Sequence, residues 1–175
     1  MLDDTHWRAL PVAVRPRSLG WHGNALLVRR DIALVDCEPL VLPTLEPRGA
    51  VSARLRLGTR EFCVIGAHLD LSGLRRRDQI RAILKHAAAQ NGLPIVVLGD
   101  FNQWGHQTGA MREFGSTWQN LVPGLSFPAL RPIAALDRIV ASEHWHRLDQ
   151  CVHHSALATS ASDHLPVVAT LRLPD

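Results

Sequence analysis

The chain has 175 residues, 46% of them hydrophobic, enough to enclose a core and too apolar for general disorder. The formal charge is only +3, but all cationic side chains except Lys85 are arginine, which suits phosphate or carboxylate partners without demonstrating one. Cys37, Cys63 and Cys151 are odd in number, widely spaced and without a CxxC pair, so neither a disulfide framework nor a zinc knuckle is indicated and a reducing cytoplasm is expected.

The N-terminal stretch MLDDTHWRALPVAV carries acidic residues where a signal peptide needs positive charge, and no apolar run reaches membrane-spanning length. Strand composition follows at 24–30, 50–57 and 61–69. A helix is predicted after the third strand, from the cap Ser72 to Asn91 and Gly92. Its apolar stripe is Leu74, Ile80, Ile83, Leu84 and Ala87. The arginine run Arg75–Arg77 in its first turn reads as a solvated outer face. Further strands are predicted at 94–99, 136–142 and 166–173. The proline-rich patches Pro39–Pro47 and Pro123–Pro132 are spaced like inter-strand loops, and no linker divides the chain into more than one domain.

Six polar positions interrupt otherwise apolar strand ends: His68 in GAHLD, Asp100 and Asn102 in GDFN, Asp137 in LDRI, and Asp163 with His164 in SDHLPV. One such histidine or aspartate is ordinarily a satisfied structural residue. Several strands each bearing that desolvation cost point instead to one polar site.

In order, GNALLVRR, EPRGA, GAHLDL, VVLGDFNQW, SFPAL, LDRI and SDHLPVVATL resemble the successive motifs of the endonuclease/exonuclease/phosphatase superfamily, from about Gly23 to the C-terminus. The resemblance implies an α/β four-layer sandwich, two mixed sheets flanked by helices, and a metal-dependent phosphoesterase acting by water attack. It implies Asp163 as a ligand of Mg2+ or Mn2+ or the metal's immediate neighbour, His164 as the base or proton carrier near the attacking water, and Asp137 as its orienting partner. It also implies that Asp100 positions the water, Asn102 holds a phosphoryl oxygen and His68 donates to the phosphate.

The front departs from that pattern. The family's early strand ending in Asn and the later one ending in Gln-Glu have no counterpart. Of Glu38, Glu46 and Glu61, none replaces the missing glutamate by motif. The expectation is an N-terminally truncated member with weak metal binding and sheet edges open to self-association. Asp3 and Asp4 are remote substitutes for the lost ligand. The chain has no Tyr, and Arg138 follows Asp137 where many members have Tyr. The alternative is an impaired remnant that binds phosphate-containing ligands or a partner without turnover. A serine hydrolase is disfavoured because no GxSxG elbow occurs. The substrate, nucleic acid or a smaller phosphoester, stays open. Trp104, Trp118, Trp145 and His106 are the candidate contacts near the site, although a Trp beside such a loop more often packs the loop down.

Overall fold

A computed structural model describes residues 6–13, 18–44, 47–105 and 108–173. Asp3, Asp4, Glu46 and His106 lie outside the described residues. The fold is mixed α/β around a six-stranded sheet. Its strands are β3 (Ala33–Leu40), β4 (Gly49–Leu57), β5 (Arg60–His68), β6 (Ile95–Asp100), β7 (Trp118–Leu121) and β8 (Asp137–Ser142), in the spatial order β3-β4-β5-β6-β8-β7. All neighbours are antiparallel except β5 and β6. A parallel pair needs a crossover, and helix α1 (Gly73–Ala88) supplies it. Between β4 and β5 the chain reverses in two residues, with Gly58 at φ 61°.

The sheet is covered on both faces, as its alternating side chains require. Cys63, Ile65, Val97 and Val140 point toward Ile80, Ile83 and Ala87 of α1 and toward Met111 and Phe114 of a 3-10 helix, Gly109–Phe114. Val51, Ala53, Phe62, Val96 and Ile139 point the other way. There they meet two separate ribbons: β1 (Trp7–Ala9) with β2 (Leu27–Arg29), and β9 (His146–Val152) with β10 (Val167–Arg172). The second of the two expected sheets thus consists, among the described residues, of these two ribbons. A short helix, α2 (Ala156–Ala161), links β9 to β10 and packs Ala158 against Ala129 and Leu165.

Several local expectations are corrected. Pro39 lies within β3, not in a loop; β3 is an edge strand, where a missing N–H costs no ladder bond. Leu74 is exposed and outside the buried stripe, because at 100° per residue it stands on the side of α1 opposite Arg76, Gln79, Ile80, Ile83 and Ala87. Ser72 occupies the cap position but makes no side-chain cap bond; its N–H donates to Asp70 Oδ1. Arg76 is buried, not solvated. Its Nη1 donates to the carbonyls of Asp70 and Leu71, and Nε and Nη2 donate to Gln103 Oε1.

Candidate active site

Strand register brings the site together. His68 pairs with Asp100 across β5 and β6, and Asp100 pairs with Asp137 across β6 and β8. The three residues form one rung at the end of the sheet. They share the parity of Val64, Val96 and Ile139, so they emerge on the ribbon-covered face. Asp163 and His164 arrive from the segment before β10, and Asn102 from the loop after β6. All six sequence-predicted residues line a single cleft of about 400 Å3.

Close backbone approach makes this rung possible. Gly99 has φ 134°, and a Cβ there would lie 2.0 Å from the carbonyl oxygen of Ala67. Only glycine lets β6 sit so near β5 beside Asp100. After Asp100 the chain turns sharply, with Asn102 at φ 49°. The Asn102 N–H donates to Asp100 Oδ1 at 2.8 Å, and Asn102 Nδ2 donates to the Leu69 carbonyl at 2.8 Å. Asx-turn chemistry and a place in the cleft lining coincide here.

The two histidines are tuned in opposite directions. His164 Nδ1 lies 2.8 Å from Asp137 Oδ2, which also accepts a 2.6 Å bond from Ser126 Oγ. Burial pulls the His164 pKa down, but the hydrogen bond and charge of Asp137, aided by Asp100 and Asp163, outweigh it and the pKa is raised. His68 Nε2 is 3.5 Å from Asp100 Oδ2. That carboxylate favours protonation, yet burial first and Arg48 second prevail, and the His68 pKa is lowered. The Phe127 ring packs on the His164 ring at a centroid distance of 4.7 Å.

Two residues at or behind the cleft, Arg48 and Gln103, escaped the sequence reading, which noted a third, Arg138, only as a departure from the family pattern. Arg48 lines the cleft. The next residue, Gly49, pairs with His68 and is pinned by Asn24, whose Nδ2 donates to the Gly49 carbonyl at 3.0 Å. Gln103 is buried and ties the Asp100–Asn102 turn to Arg76. Arg138 is fully buried; its guanidinium donates to the carbonyls of Gln103 and Gly105, and burial lowers its pKa to about 10. Trp104 is exposed beside the cleft loop, whereas Trp145 is buried against Phe62 and Trp118 packs on Phe114.

Among the described residues no three His, Cys, Asp or Glu side chains come together as a metal-holding cluster. Asp163 offers one carboxylate to the cleft, while Asp100 is engaged by the Asn102 N–H. That set is incomplete for a tightly held Mg2+ or Mn2+ ion, which takes oxygen donors in near-octahedral order.

The model of the Endonuclease/Exonuclease/phosphatase family matches residues 2–164. The chain belongs to that family. It is 26% identical over 193 residues to the uncharacterized protein YbhP of Escherichia coli, covering 98% of this chain and 72% of YbhP. Among solved structures it is similar to the Bacteroides thetaiotaomicron mannosyl-6-phosphatase, with a TM-score of 0.75 and 16% identity, covering 96% of this chain and 78% of that one. It is also similar to D. rerio TDP2 complexed with single-strand DNA product, at a TM-score of 0.72 and 12% identity over 85% of this chain and 72% of that one. These likenesses establish the shared fold. No helix among the described residues is long and apolar enough to cross a membrane.

Proposed function

We propose that this chain is a phosphoester hydrolase whose reaction is carried by His164, Asp137, Asp100, Asn102 and His68. The observation that carries the reading is the convergence of those side chains and Asp163 on one cleft. With Nδ1–H held by Asp137, neutral His164 keeps its Nε2 lone pair for a proton. Water oxygen attacks phosphorus, His164 Nε2 takes the water proton, and the phosphorus–oxygen bond to the leaving group breaks. The departing oxygen is then protonated by His164 or by solvent. Asp100 positions the water. Asn102 uses one amide hydrogen on Leu69 and offers the other to a phosphoryl oxygen. His68, kept neutral by burial and Arg48, donates to the phosphate without changing charge near neutral pH.

Family membership and the two named neighbours, a phosphatase and a protein bound to a DNA product, support phosphate ester chemistry in general. A hard divalent cation belongs to the proposal only as an ion weakly held by Asp163 and water. We place the chain in a reducing compartment, the cytoplasm, because Cys37, Cys63 and Cys151 are all free thiols. Self-association through edge β3 has less support, since Asp36, Glu38 and Pro39 blunt that edge.

The test is turnover of soluble aryl phosphomonoesters and phosphodiesters by the wild type, His164→Ala and Asp163→Ala. Loss of His164 removes general-base catalysis, so the rate should fall about 10²–10⁴-fold with the melting temperature retained. Unchanged turnover in His164→Ala overturns the assignment. A wild type that binds inorganic phosphate but turns over neither ester class identifies a binding protein instead.

A further inference from the structure

Isolated exposed leucines are ordinary on protein surfaces; their placement here is not. Among the described residues, every large hydrophobic side chain more than 60% exposed lies in a segment at the end of the sheet where the cleft opens; all others are at most 55% exposed. Val41 follows the end of β3. Leu71 and Leu74 stand just beyond His68 and in the first turn of α1. Trp104 follows the Asp100 turn, Leu130 and Ile133 form the tip of the segment that returns to Asp137, and Leu157 opens α2 just before Asp163. Their exposures run from 61% to 86%. Five chain segments, distant in sequence, carry these exposed apolar side chains at the end of the sheet where the cleft opens.

The charges between them select the partner. These same segments carry Arg75 and Arg77 next to Leu74, and Arg131 between Leu130 and Ile133. Of their carboxylates, Asp70 is buried and Asp78, one turn along α1, pairs with Arg81, while Asp163 is exposed at the cleft itself. Apolar tips interleaved with arginine match the boundary between acyl chains and anionic headgroups. Single-stranded nucleic acid would call for aromatic stacking platforms, and six of these seven side chains are aliphatic.

We propose that this end of the molecule is a docking face for an anionic phospholipid bilayer, on which the cleft meets phosphoester headgroups; the second part rests on the phosphoesterase reading, the first does not. Cosedimentation with vesicles of phosphatidylcholine plus phosphatidylglycerol, and with phosphatidylcholine alone, tests it. The wild type should pellet with the mixed vesicles and much less with phosphatidylcholine, and added salt should weaken binding. Leu130→Ser with Ile133→Ser removes two insertable side chains and should lower partitioning roughly tenfold. Both positions are exposed, so the melting temperature should hold. Arg131→Gln should reduce binding to the mixed vesicles alone.

His164→Ala should pellet like the wild type, which separates docking from chemistry. A wild type that pellets but hydrolyses no soluble ester leaves docking standing and removes the phosphoesterase reading. A wild type that hydrolyses soluble esters without pelleting, or a double serine variant that pellets equally, overturns the docking face. Loss of single-stranded oligonucleotide binding in the serine variant, with no vesicle binding by the wild type, reassigns the surface to nucleic acid and also overturns it.

Discussion

His164 and Asp137 are 27 residues apart in the chain, yet His164 Nδ1 sits 2.8 Å from Asp137 Oδ2, and against the pull of burial that contact raises the pKa of the ring. In Asp137→Asn the neutral amide no longer supports the imidazolium, so the His164 pKa should fall from its raised position. Imidazole proton chemical shifts followed against pH measure it directly. A base must be neutral to work; the acid limb of the rate profile should therefore move to lower pH while the plateau drops. The stabilisation from this pair is fully present below the unfolded histidine pKa and is lost as pH rises through the raised folded value. The stability gap between wild type and variant should close over that window. An unmoved His164 titration would show that Asp137 does not govern the ring.

Arg138 makes a different prediction, one of stability. Arg138→Ala leaves the carbonyls of Gln103 and Gly105 without their buried donor and opens a cavity beside β8. The cost should be about 2–4 kcal/mol, the range for buried hydrogen bonds to a charged group together with lost packing. Chemical denaturation measures it. A loss below about 0.5 kcal/mol, typical of surface changes, would mean that this guanidinium does not anchor the loop.

Asn102 separates backbone from chemistry. At φ 49° glycine is at ease and alanine is strained by about 1 kcal/mol. Asn102→Gly and Asn102→Ala should therefore lose activity alike, while only the alanine variant loses that much extra stability. Equal melting temperatures combined with unequal rates would contradict the assignment of the amide to the phosphate.

Metal dependence should be slight. With no cluster of three metal-ligating side chains among the described residues and Asp163 as the proposed ligand, Mg2+ or Mn2+ should change the rate modestly relative to EDTA, and Asp163→Asn should abolish that response. Isothermal titration with Mn2+ gives a readout independent of turnover. Tight binding that survives Asp163→Asn would place the ligands elsewhere in the chain.

What could be read from the sequence follows local physics. Strands β5, β6 and β8 announce themselves because long apolar runs end abruptly in His68, Asp100 or begin at Asp137, and a desolvated polar group at a strand end is hard to account for singly. Strand β3 stayed hidden because Asp36, Glu38 and Pro39 are loop-like in composition, and tolerance for them comes only from its place at the sheet edge. Arg76 is indistinguishable by sequence from Arg75 and Arg77. The Gln103 side chain that buries it is 27 residues away. Arg48 has no periodic signal at all, since it stands in an irregular segment before β4. Its relation to His68 arises from the register of Gly49.

That register also couples assembly to competence. Along a strand, neighbouring residues alternate between faces, so sliding β6 by one position against β5 would turn Asp100 toward α1 while driving Val97 and Ile95 out of the core. A molecule with a shifted strand thus forfeits its hydrophobic layer and its reactive trio in the same movement. Under the proposed reaction, specific activity is consequently a counter of correctly zipped sheets: refolded samples would be scored for pairing fidelity by turnover, with no spectroscopic label on the strands.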